Sequence, residues 1–281
     1  MTPDPLISVE DLARRLGDRG VQVIDATWFL PGDARSGREE YRKAHIPGAV
    51  FFDIDAIADK STDLPHMLPT PEAFAQAAGE LGLRREALVA VYDVHGIFSA
   101  PRVWWTLRAM GFPQVRVLDG GLRAWLAQGR PTETGERALA ATSLDPRFHP
   151  ERVRDFDAVR AHLANGDAQL VDARTAPRFR GEMPELRPGL APGHMPGARN
   201  LPWSLLITED GALKPAAAIA EAFEAAGVDL SRPIVTTCGS GVSAATLALG
   251  LARIGRDDVA VYDGSWTEWA SRPGVEIATG P

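Results

Sequence analysis

The stretch H-I-P-G-A at residues 45–49 returns as H-M-P-G-A at residues 194–198. Two further pairs of segments recur in the same order, namely 21–26 with 168–173 and 117–121 with 261–265. The members of each pair lie between 144 and 149 residues apart. Ordered matches at a nearly constant separation indicate an internal duplication, and each repeat has the length of a common domain. The chain is therefore predicted to contain two homologous domains.

Helical and β patterns alternate within each half. Helices are predicted at 8–16, 71–81, 99–110 and 121–127, and then at 154–164, 215–226, 242–254 and 265–270. Strands are predicted at 21–26, 88–92 and 115–118, and then at 169–172, 234–237 and 259–262. Strands that are apolar on both faces and separated by helices are typical of a parallel sheet covered by helices on both sides. We therefore expect an α/β fold with two tandem domains with mainly parallel sheets, over 1–135 and 153–281, joined by a linker over 136–152.

The composition narrows the possible functions. The chain has 281 residues, of which 45% are hydrophobic, and its net charge of −7 opposes binding to nucleic acid or to a membrane surface. No apolar run approaches the roughly 20 residues of a membrane span, and the N-terminus does not have the pattern of a signal peptide. One cysteine cannot form an internal disulfide, so no oxidising compartment is indicated. These features favour a cytoplasmic location.

The single cysteine, Cys238, lies in the stretch T-T-C-G-S-G-V-S-A at residues 236–244, between a predicted strand and a predicted helix. In open parallel sheets, ligands bind beyond the carboxyl ends of the strands, and the stretch is expected there. Gly239 and Gly241 allow successive N–H groups to curve around one point, and the next helix adds its positive end. Both features favour a thiolate or a persulfide. The alternative is that Cys238 is a small buried hydrophobic residue.

The two halves differ at this position. Asp93 stands in the first half where Cys238 stands in the second, 145 residues later. One half therefore carries a thiol and the other a carboxylate, so the chemistry is predicted to be asymmetric, with the nucleophile in the second domain.

The tandem halves, the His-x-Pro-Gly-Ala turns and the loop C-G-S-G-V at 238–242 resemble two-domain rhodanese-type sulfurtransferases. The loop is similar to that of 3-mercaptopyruvate sulfurtransferases, whereas thiosulfate-using members typically carry basic residues directly after the cysteine. The resemblance implies sulfur transfer from 3-mercaptopyruvate to a thiol or cyanide acceptor through a Cys238 persulfide, with release of pyruvate. It implies no cofactor and no metal. The acceptor could be thioredoxin, a small thiol or cyanide.

The resemblance also assigns residues to roles. It implies a catalytic group consisting of Cys238, Ser240, His66 and Asp55. It implies a substrate-binding group consisting of Arg178, Arg187, Gly239, Gly241 and Val242. Arginine suits a small keto acid because its planar guanidinium grips a carboxylate with two hydrogen bonds. For the arginines, the alternative to substrate binding is a solvated surface charge. Asp55, His66 and Ser240 are expected to act as a proton relay, and the alternative is a structural hydrogen-bond network.

Other functions are weighed against the same residues. A cysteine phosphatase needs an arginine that closes the loop around phosphate, but residue 244 is alanine. Thiosulfate sulfur transfer and a non-catalytic persulfide carrier remain as alternatives. His45 and His194 precede matching Pro-Gly turns and are interpreted as structural, and Asp119 and Asp263 as turn formers. Five tryptophans are expected in the core or at the domain interface: Trp104, Trp105, Trp125, Trp266 and Trp269.

Overall fold

Each half of the chain forms a five-stranded parallel sheet in the computed structural model, which describes residues 4–281. The first sheet contains β1 (Leu6–Ile7), β2 (Val21–Asp25), β3 (Val50–Phe51), β4 (Leu88–Tyr92) and β5 (Val115–Leu118). The second contains β6 (Val153–Arg154), β7 (Gln169–Asp172), β8 (Arg199–Asn200), β9 (Ile234–Thr237) and β10 (Ala260–Tyr262). The strand orders are β1-β5-β4-β2-β3 and β6-β10-β9-β7-β8, which is the same topology twice. The predicted fold of two tandem α/β domains is confirmed.

Helices surround both sheets. The first domain has α1 (Val9–Arg15), α2 (Gly37–Lys43), α3 (Pro71–Glu80), α4 (Ala100–Ala109) and α5 (Gly121–Ala127). The second has α6 (Phe156–Asn165), α7 (Ala176–Phe179), α8 (Ala216–Ala225), α9 (Ala244–Arg253) and α10 (Ser265–Ser271), with 3-10 turns at Pro150–Arg152 and Trp203–Leu206. All predicted helices and strands occur in the structure. The sequence patterns miss α2, α7 and the two-residue strands. The last two groups are too short to show a periodicity, and α2 buries a single residue, Tyr41, so it has no apolar stripe.

Two helices begin two residues later than predicted. The helix predicted from residue 154 begins at Phe156, because the Asp155 carboxylate caps it by accepting a hydrogen bond from Ala158 N at 2.8 Å. Arg154 belongs instead to β6. The helix predicted from residue 242 begins at Ala244, since residues 239–243 form an irregular loop.

The central strands β4 and β9 position the two residues that distinguish the halves. Strand β4 is buried at all five residues and β9 at all four. Asp93 follows β4 directly and Cys238 follows β9 directly. The two residues therefore occupy the same place in their domains, at the carboxyl edge where ligands bind to parallel sheets.

The two domains share one continuous core. Helices α4 and α9 pack against each other across the domain interface, and one cluster of buried apolar side chains includes residues of both domains. The five tryptophans predicted to be internal are all buried. A site between the domains is therefore held by an apolar interface.

Asp119 and Asp263 do more than form turns. Asp119 Oδ1 accepts a hydrogen bond from Leu213 N of the second domain at 2.9 Å. Asp263 Oδ2 accepts one from Leu68 N of the first domain at 2.7 Å. These carboxylates follow β5 and β10, the same strand of each repeat. Their interdomain role cannot be predicted from local sequence because the partners lie in the other half.

The repeated histidines have matching structural environments. His45 Nδ1 lies 2.8 Å from Tyr41 O, and its ring stacks on Tyr41 with the centroids 4.2 Å apart. His194 Nδ1 lies 2.8 Å from Phe179 O, and its ring stacks on Phe179 at 3.7 Å. Both rings are buried. Each histidine thus ties its Pro-Gly turn to the preceding helix.

Candidate active site

Residues 238–243 connect β9 to α9 and are called the cysteine loop. The loop is hydrogen-bonded to the start of α10. Cys238 N donates to Ser265 Oγ at 3.2 Å, and Trp266 N donates to Cys238 O at 2.9 Å. Thr267 N donates to Gly239 O at 2.9 Å. Cys238 is only 2% exposed, yet it lines a cavity. The thiol is therefore held on a fixed backbone at the base of that cavity.

The first domain shows what this type of loop binds. The Asp93 carboxylate accepts hydrogen bonds from Phe98 N (2.9 Å), Ser99 N (2.8 Å) and Ala100 N (2.8 Å) through Oδ2, and from His95 N (2.8 Å) through Oδ1. In the cysteine loop the amides of residues 239–243 donate to no acceptor elsewhere in residues 4–281. The first domain thus fills its anion nest with its own carboxylate, whereas the cysteine loop leaves its N–H groups available to a bound anion.

Glycine is required at position 241. Its φ is +79°, in the left-handed region, and a Cβ there would lie 2.7 Å from Arg102 Nη1 and 2.8 Å from Asp263 O. A larger residue would therefore clash on two sides as well as strain the backbone.

The cavity above Cys238 has a volume of about 340 Å³ and is lined by both domains. The second domain contributes Arg178, Arg187, Gly239, Ser240 and Val242. The first contributes aromatic residues that include Trp28, Phe98 and His95. A small polar molecule in the cavity would thus meet both cationic side chains and aromatic rings.

The two predicted arginines line the cavity but differ in their partners. Arg178 is paired with Glu185, whose other oxygen lies 2.7 Å from Arg174 Nη1. Arg174 is also paired with the buried Asp172 at 2.6 Å. These two cations and two carboxylates balance one another. By contrast, no carboxylate among residues 4–281 lies within 4.0 Å of the Arg187 guanidinium, so Arg187 supplies the uncompensated positive charge.

Arg187 is half-buried and faces the thiol. Burial lowers the pKa of Arg187, whereas the negative charge available at Cys238 raises it. A guanidinium stays protonated in spite of such shifts. A charged group that is desolvated and lacks an anionic partner is well placed to receive an anionic ligand.

Asp55 and His66 form a pair that continues to Arg187. His66 Nδ1 lies 2.6 Å from Asp55 Oδ1, and Trp28 Nε1 donates to Asp55 Oδ2 at 2.9 Å. His66 Nε2 lies 3.1 Å from Arg187 Nη2. A guanidinium can only donate, so Nε2 is the acceptor and the proton is assigned to Nδ1. The contacts run from Asp55 through His66 to Arg187, and no hydrogen bond joins Ser240 to His66 among the described residues.

The electrostatics of this pair keep the imidazole neutral. Burial lowers the pKa of His66, and the positive charges of Arg102 and Arg187 act in the same direction, while Asp55 opposes them. Burial also raises the pKa of Asp55, but its hydrogen bonds from His66 and Trp28 and the nearby charges outweigh that effect, so the pKa is lowered overall. Asp55 is therefore an anion beside a neutral histidine.

The structure adds residues that the sequence analysis does not single out. Trp28 and Arg174 stand three and two residues beyond β2 and β7, at the carboxyl edge of each sheet, and that position was an available signal. Glu185 carries no local signal, because its role depends on two arginines that the fold brings to it.

Comparison with known proteins agrees with this architecture. The Rhodanese-like domain family matches residues 8–128 and 155–272. The 3-mercaptopyruvate sulfurtransferase of Escherichia coli (strain K12) is 42% identical over 272 residues, which cover 96% of each protein. The mitochondrial thiosulfate/3-mercaptopyruvate sulfurtransferase 1 of Arabidopsis thaliana is 40% identical over 297 residues, covering 98% of this chain and 78% of that protein.

A solved structure shows the same fold. The crystal structure of SseA from Escherichia coli, described in terms of the rhodanese fold and the mechanism of 3-mercaptopyruvate sulfotransferases, has a TM-score of 0.86 and 42% identity. The match covers 93% of this chain and 98% of that one. Within residues 4–281, no helix has the length and apolar character needed to cross a membrane.

Proposed function

Because the chain belongs to the rhodanese family, we propose that it transfers sulfur from 3-mercaptopyruvate to a thiol or cyanide acceptor through a Cys238 persulfide, releasing pyruvate. The observation that carries the proposal is the position of the only thiol at the base of a cavity that also holds an uncompensated guanidinium, Arg187. The donor has one carboxylate, and among residues 4–281 the cavity offers one cation, Arg187, without a carboxylate partner.

The donor is oriented by the arginines. Arg187 binds the carboxylate, and Arg178, partly neutralised by Glu185, contributes a second set of N–H donors near the keto oxygen. Gly239 leaves room for this arrangement, since a Cβ there would lie 3.2 Å from Arg178 Nη2. Gripping the end of the donor that is remote from sulfur places the sulfur at the thiol.

The chemical step breaks the bond between sulfur and C3 of the donor. The Cys238 thiolate attacks the donor sulfur and forms an S–S bond, while the electron pair of the C–S bond moves onto C3 and the keto oxygen as an enolate. Uptake of a proton at C3 gives pyruvate. Donors beside the oxygen stabilise the enolate, and Ser240 and Arg187 are placed to supply them, while the neutral His66 holds Arg187 from behind by accepting its hydrogen bond. The amides of residues 239–243, which donate to no acceptor within residues 4–281, hold the persulfide as an anion.

The acceptor completes the cycle. Since Cys238 is the only cysteine, no internal thiol can resolve the persulfide. An external nucleophile such as thioredoxin, a small thiol or cyanide takes the outer sulfur after pyruvate has left, so ping-pong kinetics are expected. We place the reaction in the cytoplasm, where thiols are kept reduced and Cys238 stays able to react.

The proposal is tested with purified protein and 3-mercaptopyruvate. Incubation with the donor alone should add about 32 Da, one sulfur atom, at Cys238. With cyanide or a thiol added, pyruvate should accumulate over many turnovers. Sulfur loading without repeated turnover would support the carrier alternative, and no loading at all would exclude this donor.

The acid limb of the pH profile should depend on Asp55. Protonation of His66 at Nε2 would turn its acceptor atom into a donor and repel Arg187, so kcat/KM is expected to fall as the pH drops through the His66 pKa. Asp55 raises that pKa. In Asp55→Asn the pKa should be lower still, and the acid limb should move to lower pH. The measurement is kcat/KM for 3-mercaptopyruvate against pH.

Asp53→Asn is the matched control for that profile. Asp53 lies on the same segment, and its Oδ1 accepts only a backbone hydrogen bond from Ala56 N at 2.9 Å, which asparagine can keep. The acid limb of the kcat/KM profile of Asp53→Asn should coincide with that of the wild type. An acid limb that stays in place or moves to higher pH in Asp55→Asn would contradict the assignment.

Donor choice should depend on the charge of the cysteine loop. Thiosulfate is a compact dianion, and it favours positive charge beside the thiol, whereas Gly239 and Ser240 are neutral. Replacing both residues together, Gly239→Arg with Ser240→Lys, should lower the ratio of kcat/KM for mercaptopyruvate over thiosulfate by at least about tenfold. The new arginine would crowd Arg178, and loss of the Ser240 hydroxyl would slow mercaptopyruvate cleavage.

The neutral pair Gly239→Ala with Ser240→Ala separates charge from shape. It removes the same hydroxyl and adds bulk without charge, so thiosulfate use should stay low. An equal gain in thiosulfate use with both pairs, or an equal loss of both donors with the charged pair, would show that the shape of the loop decides the donor.

A further inference from the structure

Arg102 is a charged residue of the first domain that is buried against the back of the site. It lies on α4, is 2% exposed, and stacks its guanidinium over the ring of Trp105 at 4.6 Å. Its charge is balanced by Asp263 of the second domain, whose Oδ1 lies 2.7 Å from Arg102 Nη1. A buried ion pair between two domains is costly unless it satisfies further polar groups.

The remaining donors of Arg102 hold the backbone of two active-site segments. Nη1 donates to Gly241 O of the cysteine loop at 3.3 Å, and Nη2 donates to His66 O. The other oxygen of Asp263 accepts a hydrogen bond from Leu68 N at 2.7 Å. The Arg102–Asp263 pair therefore also holds Leu68, two positions after His66. One guanidinium thus contacts both halves of the site.

Both carbonyls belong to residues with left-handed backbones. His66 has φ of 64° and Gly241 has φ of 79°. A non-glycine residue in this region persists only where its surroundings impose the conformation. The Arg102 contacts lie directly at these two positions.

We propose that Arg102 is a positioning residue for the sulfur transfer proposed above. Arg102 binds Gly241 O and His66 O at the same time. It thereby fixes the position of the cysteine loop relative to the His66–Arg187 contact across the domain interface. Its charge also lowers the pKa of His66, but the positioning role rests on its N–H contacts, several of which lysine would lose while keeping the charge. It touches neither the donor cavity nor the sulfur.

The test compares Arg102→Lys with Arg108→Lys. Arg108 lies on the same helix, stacks on Trp104 at 4.8 Å, and forms an interdomain ion pair with Asp257 at 2.6 Å, but it is remote from the cysteine loop. Lysine keeps the charge and loses the fork that reaches several acceptors. For 3-mercaptopyruvate, Arg102→Lys should lower kcat at least about tenfold with KM within about threefold, measured where the protein is fully folded. Arg108→Lys should keep kcat within about twofold while lowering the melting temperature comparably.

A second readout does not depend on the donor. Loosening the loop should expose Cys238, so alkylation by N-ethylmaleimide at fixed pH should be at least about fivefold faster in Arg102→Lys and unchanged in Arg108→Lys. If the wild type fails to use 3-mercaptopyruvate, the proposed function is wrong, and the alkylation rates still decide the role of Arg102.

A charge-free pair covers the case in which Arg102→Lys does not fold. Arg102→Gln with Asp263→Asn removes both charges and keeps an N–H donor and an acceptor oxygen, and it should show the same loss of kcat and the same faster alkylation. Wild-type kcat and alkylation rate in either folded variant, or equal effects in Arg108→Lys, would overturn the inference.

Discussion

We expect Cys238→Ser to release no pyruvate above background from 3-mercaptopyruvate, a loss of at least about a thousandfold in kcat. Serine is close in size to cysteine, but its hydroxyl is neither a thiolate nor able to store sulfur as a persulfide. No second thiol exists in the chain to replace it. The measurements are pyruvate release and the intact mass of the protein after exposure to the donor.

The fold of this variant should survive. The hydrogen bonds at position 238 use the backbone alone. The N–H donates to Ser265 Oγ, and the C=O accepts from Trp266 N. Burying a hydroxyl there costs about 1–2 kcal/mol at most, and each kcal/mol lowers the melting temperature by about 2–4 °C in a chain of this size. Turnover close to that of the wild type in the folded variant would refute the nucleophile.

The second large effect is expected for Arg187→Lys. Lysine keeps the charge but offers a single point donor, so it cannot grip a carboxylate with two hydrogen bonds and contact His66 Nε2 together. Loss of a hydrogen bond to a charged group weakens transition-state binding by about 1.5–3 kcal/mol. We therefore expect kcat/KM for 3-mercaptopyruvate to fall at least about tenfold. Because Arg187 has no carboxylate partner, folding should be little affected.

Arg180→Lys provides the control for Arg187→Lys. Arg180 lies on the same segment, and its guanidinium is paired at the surface with Glu182 at 2.7 Å. Exposed pairs of this kind contribute little to stability, so kcat/KM and the melting temperature should both match those of the wild type. Equal kinetics for Arg187→Lys and Arg180→Lys would show that Arg187 is only a surface charge.

Sequence reasoning was most successful where the signal is local. Strand β4, with five consecutive apolar or aromatic residues, and helix α9 after its glycine loop are visible as patterns within a short window. The correspondence between Cys238 and Asp93, which occupy equivalent positions in the two repeats, follows from the duplication and needs no contact information. Arg178 and Arg187, which the family resemblance implies as substrate-binding residues, both line one cavity.

The sequence does not predict which distant polar residues pair with one another. Arg178 and Arg187 look alike in the chain, but Glu185 turns towards Arg174 and Arg178 and leaves Arg187 free. The histidine predicted to work with Ser240 instead contacts Arg187. Asp263, predicted as a turn former, holds Arg102 from the other domain.

The two α/β repeats, the strand end that carries the thiol and the asymmetry between the halves can be read from the amino-acid sequence, because each depends on local periodicity or on comparison of the chain with itself. Three features emerge in the folded protein alone: Arg187 as the cation without a carboxylate partner among residues 4–281, the contact of His66 with Arg187, and the meeting of the two domains at Arg102. Those outcomes depend on which polar groups the packed interface leaves without water. A buried charge or carbonyl must then find its partner among residues that can be more than a hundred positions away in the chain.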